Sequence, residues 1–383
     1  MPLDGLRGAV NRTIGKGLLG AAEAGRFPDP VIRAAIYLRL KVKVAVETRG
    51  GPSAIDERKQ ELLADRAAGP VTTHVTAANQ QHYEVPSPFF GLILGPRLRY
   101  SSCYWPPEVT DLAEAEEVAL AQTVERAGLV DGERILELGA GWGSLSLYMA
   151  ERFPRSEIVT VSNSRTQKQH IDEQASARGL TNLAVVTADI GQFSPSESVG
   201  GGLFAGDTFA SDTFDRDTFD RVVSVEMFEH VRNHRELLRR ISTWLRPGGT
   251  CFIHVFSHRT AAWHFDAEDS GDWMAKAFFA GGTMPSEDLL PSEQQHLRLV
   301  ERHRLNGAHY AKTLQAWLDR LDGNRQACIE ALASGDDPTP PELQLTRWRL
   351  FLLASIGTWG LAGGTEFGVS HYLFENPLFE NPS

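Results

Sequence analysis

Two periodicities of apolar residues alternate through the middle of the chain, and together they predict an α/β fold. Apolar runs with the length of buried strands occur at 134–138, 158–161, 184–187, 221–225 and 250–256. Apolar residues at helical spacing between these runs predict helices at 145–153, 167–178 and 234–244. Because strands that alternate with helices pack side by side under those helices, the pattern predicts a doubly wound sheet.

The N-terminal part has a different pattern. Residues 31–46 interleave apolar and basic residues, and residues 57–67 are charged and helix-forming, so a helical segment is predicted over 1–75. The basic residues of its first helix are Arg33, Arg39, Lys41 and Lys43. They fit two interpretations: contact with anionic lipid headgroups, or a solvated face of a helix packed on the main domain.

Three later segments interrupt the strand pattern. Residues 190–219 repeat a short D-T-F phrase, which predicts a mobile, low-complexity surface loop without chemistry. Residues 257–345 are rich in Trp, His and Phe, including Trp263, Trp273 and Phe278, and a helical lid over the site is expected there. Residues 346–383 are expected to complete the core, with the repeated phrase at 374–382 as a loose tail.

Three glycines, Gly139, Gly141 and Gly143, separate the first predicted strand from its helix. Glycine lets the backbone approach a ligand closely, and the following helix offers free N–H groups, so the turn predicts a nucleotide site. The spacing is G-x-G-x-G rather than G-x-G-x-x-G, and no acidic residue ends the strand at 157–162. Both features disfavour NAD. A purely structural turn is the alternative.

Composition narrows the function classes. The chain has 383 residues, a net charge of −11 and a pI near 5.6, which disfavours nucleic acid as a partner. Its cysteines, Cys103, Cys251 and Cys328, form no CxxC pair, so neither a zinc site nor a disulfide framework is predicted. No signal peptide or spanning segment is evident, and a soluble, cytoplasmic protein is expected.

Several phrases resemble one enzyme family. They are Y-S-S-C-Y-W at 100–105, S-V-E-M-F-E-H-V at 224–231, N-G-A-H-Y-A-K-T at 306–313 and V-S-H-Y-L-F at 369–374. In this order they resemble the S-adenosylmethionine-dependent methyltransferases of the cyclopropane-fatty-acid synthase superfamily, most of all its coclaurine N-methyltransferase branch. The likeness covers residues 70 to 376. It implies a Rossmann-like class I methyltransferase core at 76–256, between the N-terminal helical segment and the helical lid.

The resemblance also implies how the cofactor, S-adenosyl-L-methionine, would be held. Gly139, Gly141 and Gly143 would run beneath its methionine part, and Asp189 would accept a hydrogen bond from the adenine amino group. Ribose and neighbouring contacts are expected from Tyr100, Ser101, Ser162, Asn163, Gln167 and Ile190. For Asp189 the alternative is a helix cap.

The phrase at 226–230 carries the candidate chemistry. Two carboxylates and an imidazole, Glu226, Glu229 and His230, lie within five residues at the carboxyl end of a predicted central strand. Such a group can act in acid–base catalysis, because neighbouring charges and burial tune each pKa. In the amine branch the matching residues bind the substrate amine and help to remove its proton. The alternative is a pair of helix-start carboxylates beside a hydrogen-bonded histidine.

The cyclopropane branch implies a second set. There, the residue matching Glu229 joins those matching His254, Tyr310 and the Cys103 region around a bicarbonate that acts as the base. This chain carries both sets. Glu226 and the acidic net charge favour methyl transfer to a small amine; methyl or methylene transfer to unsaturated lipid acyl chains is the enzymatic alternative. A catalytically silent module that binds S-adenosylmethionine or lipid is the non-enzymatic one.

Aromatic residues are candidates for the acceptor site. Tyr104 and Trp105 lie in a dense aromatic phrase, and Trp348 and Phe351 are at helical spacing and match aromatics of the amine branch. An aromatic face attracts a cation by about 0.5–2 kcal/mol, although a core stripe has the same spacing. The phrase at 357–365 departs from the amine branch, which leaves the acceptor open. A homodimer and peripheral membrane contact are further expectations.

Overall fold

The computed structural model describes residues 20–72, 85–198, 218–265 and 281–377. Trp273, Phe278, most of the repeated D-T-F phrase and the last six residues lie outside the described residues. The statements below concern the described part of the chain.

A seven-stranded sheet forms the centre of the protein. Its strands are β1 (Arg134–Leu138), β2 (Glu157–Ser162), β3 (Leu183–Thr187), β4 (Phe219–Val225), β5 (Leu245–His258), β8 (Arg298–Asn306) and β9 (Phe367–Glu375), while β6 (Trp263–His264) and β7 (Thr283–Met284) form a small hairpin. The order is β3-β2-β1-β4-β5-β9-β8. The five predicted strands pair in parallel, and β9 and β8 add antiparallel partners at one edge. The predicted doubly wound sheet is confirmed.

Helices cover both faces of this sheet. The longer ones are α1 (Asp29–Glu47), α2 (Gly51–Ala67), α3 (Ser87–Ile93), α4 (Leu112–Ala127), α5 (Ser144–Arg152), α6 (Arg165–Ala177), α7 (His234–Trp244), α8 (Ala308–Gly323), α9 (Arg325–Ala333) and α10 (Pro341–Gly360). On one face Leu120 and Met149 pack against Ile135, and on the other Leu237 packs with Val222. Apolar strands covered on both faces explain why their sequence shows continuous runs rather than alternation.

A second layer lies above the carboxyl ends of the strands. One apolar cluster contains buried residues of helices α3, α8, α9 and α10. Ile36 of α1 packs against this cluster. Residues 257–345 supply α8 and α9 to this layer, and they also supply strand β8 to the sheet. The expectation of a loose tail from residue 374 is wrong at its start, because Phe374 is buried and pairs with Cys251 inside the sheet; residues 378–383 lie outside the described part of the chain.

Candidate active site

A cavity of about 210 Å³ opens at the carboxyl ends of β1, β2, β3 and β4, the edge where ligands bind in doubly wound sheets. Most of the expected cofactor residues line it: Tyr100, Ser101, Gly139, Gly141, Ser162, Asn163, Gln167, Asp189 and Ile190. Gly143 does not. The sheet order thus brings together side chains that are far apart in sequence.

All three glycines of the turn have a positive φ, which is 95° at Gly139, 51° at Gly141 and 83° at Gly143. A Cβ on Gly143 would lie 2.7 Å from Ile171 Cγ1, so packing under the turn requires this glycine. A Cβ on Gly141 would meet no atom of the described residues within 4 Å. Gly141 is therefore the glycine whose missing side chain leaves space in the cavity.

Three buried donors in the cavity wall test whether S-adenosylmethionine fits. Trp142 Nε1, Ser144 Oγ and Gln167 Nε2 have no hydrogen-bond partner among the described residues, and all three residues line the cavity. Ser162 Oγ donates to Gln167 Oε1 at 2.8 Å, which leaves only the amide nitrogen without a partner. Because orphaned buried donors are costly, a ligand with hydroxyl and carboxylate acceptors fits this wall.

The carboxylate of Asp189 is partly used by the protein itself. It accepts from the Gly191 N–H at 2.8 Å and from Thr72 Oγ1 at 2.9 Å, while the residue remains in the cavity wall. The bond from Gly191 belongs to a turn and not to the helix cap given as the alternative, because the next helix, Pro195–Ser198, begins six residues later. Thr72 was not predicted, and no local signal identifies it, because it lies 117 residues away from Asp189.

Glu226 follows β4 in a left-handed conformation, with φ of 49°. Its Oε1 accepts from the Ser102 N–H at 2.9 Å and from His254 Nε2 at 3.2 Å, and its Oε2 accepts from Tyr310 Oη at 2.6 Å. A residue other than glycine loses about 1–2 kcal/mol of conformational free energy in the left-handed region, so the surrounding contacts hold Glu226 in this conformation. Three donors from three separate elements position one carboxylate at the cavity.

Burial changes the acid–base properties of this group. It raises the pKa of Glu226 to about 7, against hydrogen bonds from Ser102 and Tyr310 that lower it. The pKa of Glu229 is raised well above its usual range, by burial first and by Glu226 second. Glu229 accepts from the Phe256 N–H at 2.8 Å and does not line the cavity, whereas His230 does. Of the three expected acid–base residues, Glu226 and His230 face the ligand space.

Three members of the second predicted set, namely His254, Tyr310 and the Cys103 region, meet at Glu226 and not at Glu229. Tyr310 lines the cavity, whereas His254 and Cys103 lie behind it. Burial raises the pKa of the Cys103 thiol to about 12, so the thiol stays neutral. The contribution of the Cys103 region is the backbone N–H of Ser102. The donors that the resemblance assigns to a bicarbonate therefore hold the protein's own carboxylate.

The predicted acceptor residues divide into two groups. Phe351 lines the cavity, whereas Tyr104, Trp105 and Trp348 do not. Trp348 packs in the core with its ring centroid 5.2 Å from that of Phe89. Trp105 donates to Thr313 Oγ1 at 2.9 Å, and Tyr104 lies against His309.

Aromatic residues that sequence reasoning missed complete the cavity wall. Trp317 stacks on Tyr100 with centroids 5.6 Å apart, and Trp359 stacks on Tyr310 at 4.8 Å. All four residues line the cavity, together with Phe351. The signal that could have found Trp317 is its position seven residues after Tyr310, on one side of helix α8.

The fold and site are those of a Rossmann-like, S-adenosylmethionine-dependent methyltransferase. A general methyltransferase-domain family model matches residues 136–253, and the model described as mycolic acid cyclopropane synthetase matches residues 71–194 and 210–355. The chain belongs to the mycolic acid cyclopropane synthetase family.

Two relatives and one solved structure place the chain within this family. It is 31% identical to (S)-coclaurine N-methyltransferase of Thalictrum flavum subsp. glaucum, over 98% of this chain and 99% of that protein. It is 28% identical to the cyclopropane-fatty-acyl-phospholipid synthase of Escherichia coli, over 63% of this chain and 56% of that protein. A crystal structure of coclaurine N-methyltransferase bound to N-methylheliamine and SAH superposes with a TM-score of 0.84 at 29% identity, covering 94% of this chain and 98% of that one.

Proposed function

We propose that this enzyme transfers a methyl group to the nitrogen of a small amine. The observation that carries the proposal is the Glu226 carboxylate, held at the cavity wall by Ser102, His254 and Tyr310. The near full-length similarity to an N-methyltransferase that acts on coclaurine supports the same class of acceptor. Stacked aromatic rings around the carboxylate supply the apolar wall that a cyclic or aromatic amine requires.

When bound, S-adenosylmethionine supplies an electrophilic methyl group on its sulfonium. The glycine turn, Gln167 and Ser144 would hold it against the carboxyl ends of the strands. Glu226 orients the acceptor nitrogen and takes the proton that this nitrogen loses on methylation, a role that suits a carboxyl pKa of about 7. Phe351, Trp317 and Trp359 exclude water from the reacting nitrogen.

The lipid alternative requires a different base. Methylation of an alkene needs a base held at the new methyl group, and the resemblance places a bicarbonate in that role. Here Glu226 already accepts from Tyr310, His254 and Ser102, so these donors are not available to a second anion. This arrangement favours the amine.

Labelled-methyl assays on a panel of cyclic and aromatic amines and on vesicles of unsaturated phospholipid test the proposal. Label is expected in at least one amine and not in acyl chains. Glu226→Gly is the internal control, because glycine adopts the left-handed conformation of this position without strain. Label in acyl chains with every amine unlabelled, and with that activity intact in Glu226→Gly, would show the amine proposal to be wrong.

We further propose that α1 contacts an anionic membrane surface. Its inner residues Ile32, Ile36, Leu40 and Val44 pack on the core, while Val31, Leu38, Val42 and Val46 form an exposed stripe. Leu38 and Val42 are 65% and 64% exposed, and the exposed Arg39 and Lys41 flank the stripe. Arg33 donates to Gln315, Lys43 pairs with Glu47, and Lys41 Nζ lies 5.9 Å from the centroid of the Tyr37 ring, so three of the four predicted cations have contacts within the protein.

An apolar stripe between cations is complementary to an acyl layer under anionic headgroups, even though the net charge of the protein is −11. No helix in the described part of the chain is long and apolar enough to cross a bilayer. The proposed contact is peripheral, because the inner face of α1 packs on the core and its opposite face is exposed. A cytoplasmic location is proposed with it, supported by three free, buried cysteines.

Leu38→Asp/Val42→Asp is expected to weaken sedimentation with phosphatidylglycerol vesicles by at least about tenfold, because burying each side chain contributes about 1.5–3 kcal/mol. Val130→Asp, at another position that is 54% exposed, is the matched control and should bind as the wild type does. If the wild type ignores vesicles and forms a dimer that the double substitution dissociates, the stripe is a homodimer interface and the membrane proposal fails.

A further inference from the structure

A chain of four side chains runs from the cavity through the sheet to helix α4. Glu226 Oε1 lies 3.2 Å from His254 Nε2, His254 Nδ1 lies 3.0 Å from His371 Nε2, and His371 Nδ1 lies 2.9 Å from Arg126 Nη1. His254 is on β5 and His371 is directly opposite it on β9. Both imidazoles are 2% exposed, so solvent does not compete for these contacts.

Arg126, at one end of this hydrogen-bonded chain, determines which ring nitrogen of each histidine carries the proton. Arginine has only donors, so His371 Nδ1 must accept from Arg126. The proton of a neutral His371 is then on Nε2, which makes His254 Nδ1 the next acceptor. The remaining proton of His254 is on Nε2, where it faces the Glu226 carboxylate. Each link therefore donates in one direction, from Arg126 towards Glu226.

We infer that Arg126 and His371 are positioning residues of the active site: they hold His254 as the Nε2–H tautomer, so that its ring donates to the carboxylate of Glu226. The consequence for catalysis rests on the proposed role of Glu226 as the base. Burial lowers the pKa of both His254 and His371 well below the usual range, in agreement with a pair of neutral rings.

The hydrogen bonds that run from Arg126 to Glu226 explain why the Glu226 carboxylate can remain ionised in an apolar wall. A hydrogen bond to the charged form of a carboxyl lowers its pKa, and His254 contributes one such bond in addition to those of Ser102 and Tyr310. The direction of the chain also prevents it from carrying away a proton that Glu226 has taken, since His254 Nε2 is already protonated. That proton must leave through the cavity.

The pH dependence of kcat provides one test. Glu226 acts as a base when ionised, so activity is expected to fall as the pH falls through about 7. Arg126→Met removes the donor that fixes the tautomers. The pH at which activity falls on the acidic side, the acidic limb of the profile, should therefore rise by about one pH unit. Arg126→Lys keeps a charged donor and should restore the wild-type limb.

Other titratable and charged groups face this chain, and both variants retain them. Those near Glu226 are Arg99, Glu229, Tyr310 and Cys103, and those near His371 and Arg126 are Arg99, His303, Tyr104, Glu125 and Glu301. A difference between Arg126→Met and Arg126→Lys therefore reports the charged donor at position 126, that is, its hydrogen bond and its positive charge together.

The tautomers can be measured without cofactor or acceptor. In two-bond ¹H–¹⁵N spectra of protein labelled with ¹⁵N-histidine, His254 and His371 are expected as neutral Nε2–H forms, assigned by loss of signals in His254→Gln and His371→Gln. An Nδ1–H form or a doubly protonated ring at either position in the wild type overturns the inference, whatever the acceptor proves to be. Correct tautomers with an unchanged acidic limb in Arg126→Met would overturn the proposed influence on Glu226.

Discussion

Replacing Glu226 by glutamine is expected to lower kcat by about 10²–10⁴-fold, the usual contribution of a positioned general base. Glutamine keeps the size of the side chain and can keep its contacts. The amide oxygen would accept from Ser102 and His254, and the amide nitrogen would donate to Tyr310 Oη after the hydroxyl rotates. What the variant loses is the ability to take a proton.

Steady-state rates with an amine that takes up label in the panel assay, together with titration of S-adenosylhomocysteine, check this expectation. Cofactor affinity should change little, because the glycine turn and the wall at Gln167 are untouched. Glu293→Gln is a matched control: Glu293 is also a buried carboxylate, 3% exposed, but it pairs with Arg235 outside the cavity. A Glu226→Gln enzyme that retains kcat within about threefold would exclude Glu226 as the base.

The second large effect is expected at Gly141. Gly141→Val should weaken S-adenosylhomocysteine binding by about 100-fold, equivalent to about 3 kcal/mol, because the new side chain occupies space in the cavity that the ligand needs. The wild-type affinity is expected in the micromolar range, about −8 kcal/mol. Isothermal titration measures both.

Gly179→Val separates this steric effect from backbone strain. Gly179 has a φ of 66° and, like Gly141, has no described atom within 4 Å of an added Cβ, but it lies after α6 and outside the cavity. In both variants a valine must adopt a positive φ, which is expected to reduce the free energy of unfolding by about 1–2 kcal/mol. Their melting temperatures should therefore fall by similar amounts. Equal loss of affinity in both variants would mean that strain, rather than occupation of the cavity, causes the effect.

Local patterns in the chain were sufficient for the order of strands and helices. Each buried strand is an apolar run and each helix has its own period, so β1 to β5 and helices α5 to α7 could be predicted within a few residues. Strand β8 could not, because its exposed, charged residues on a sheet edge carry no apolar run. The turn at Gly139 and Gly141 could also be predicted from the sequence, because backbone positions with a positive φ favour glycine.

Residue type and helical spacing could not show which aromatic residues line the cavity and which ones pack in the hydrophobic core. Trp348 and Phe351 are three residues apart on α10, yet Phe351 reaches the cavity and Trp348 packs on Phe89. Which member of such a pair faces the ligand depends on where the neighbouring helices lie.

The sequence by itself determined the fold class, the glycine turn and the phrase that contains Glu226, because these features depend on residues that are neighbours along the chain. Only the tertiary structure decided what surrounds Glu226. Its donors Tyr310 and Ser102 are 84 and 124 residues away, and His254 is oriented through His371 on a strand that pairs antiparallel beside it. Hydrogen bonds at such separations follow from strand order and register, which are properties of the whole packed sheet and not of any one segment.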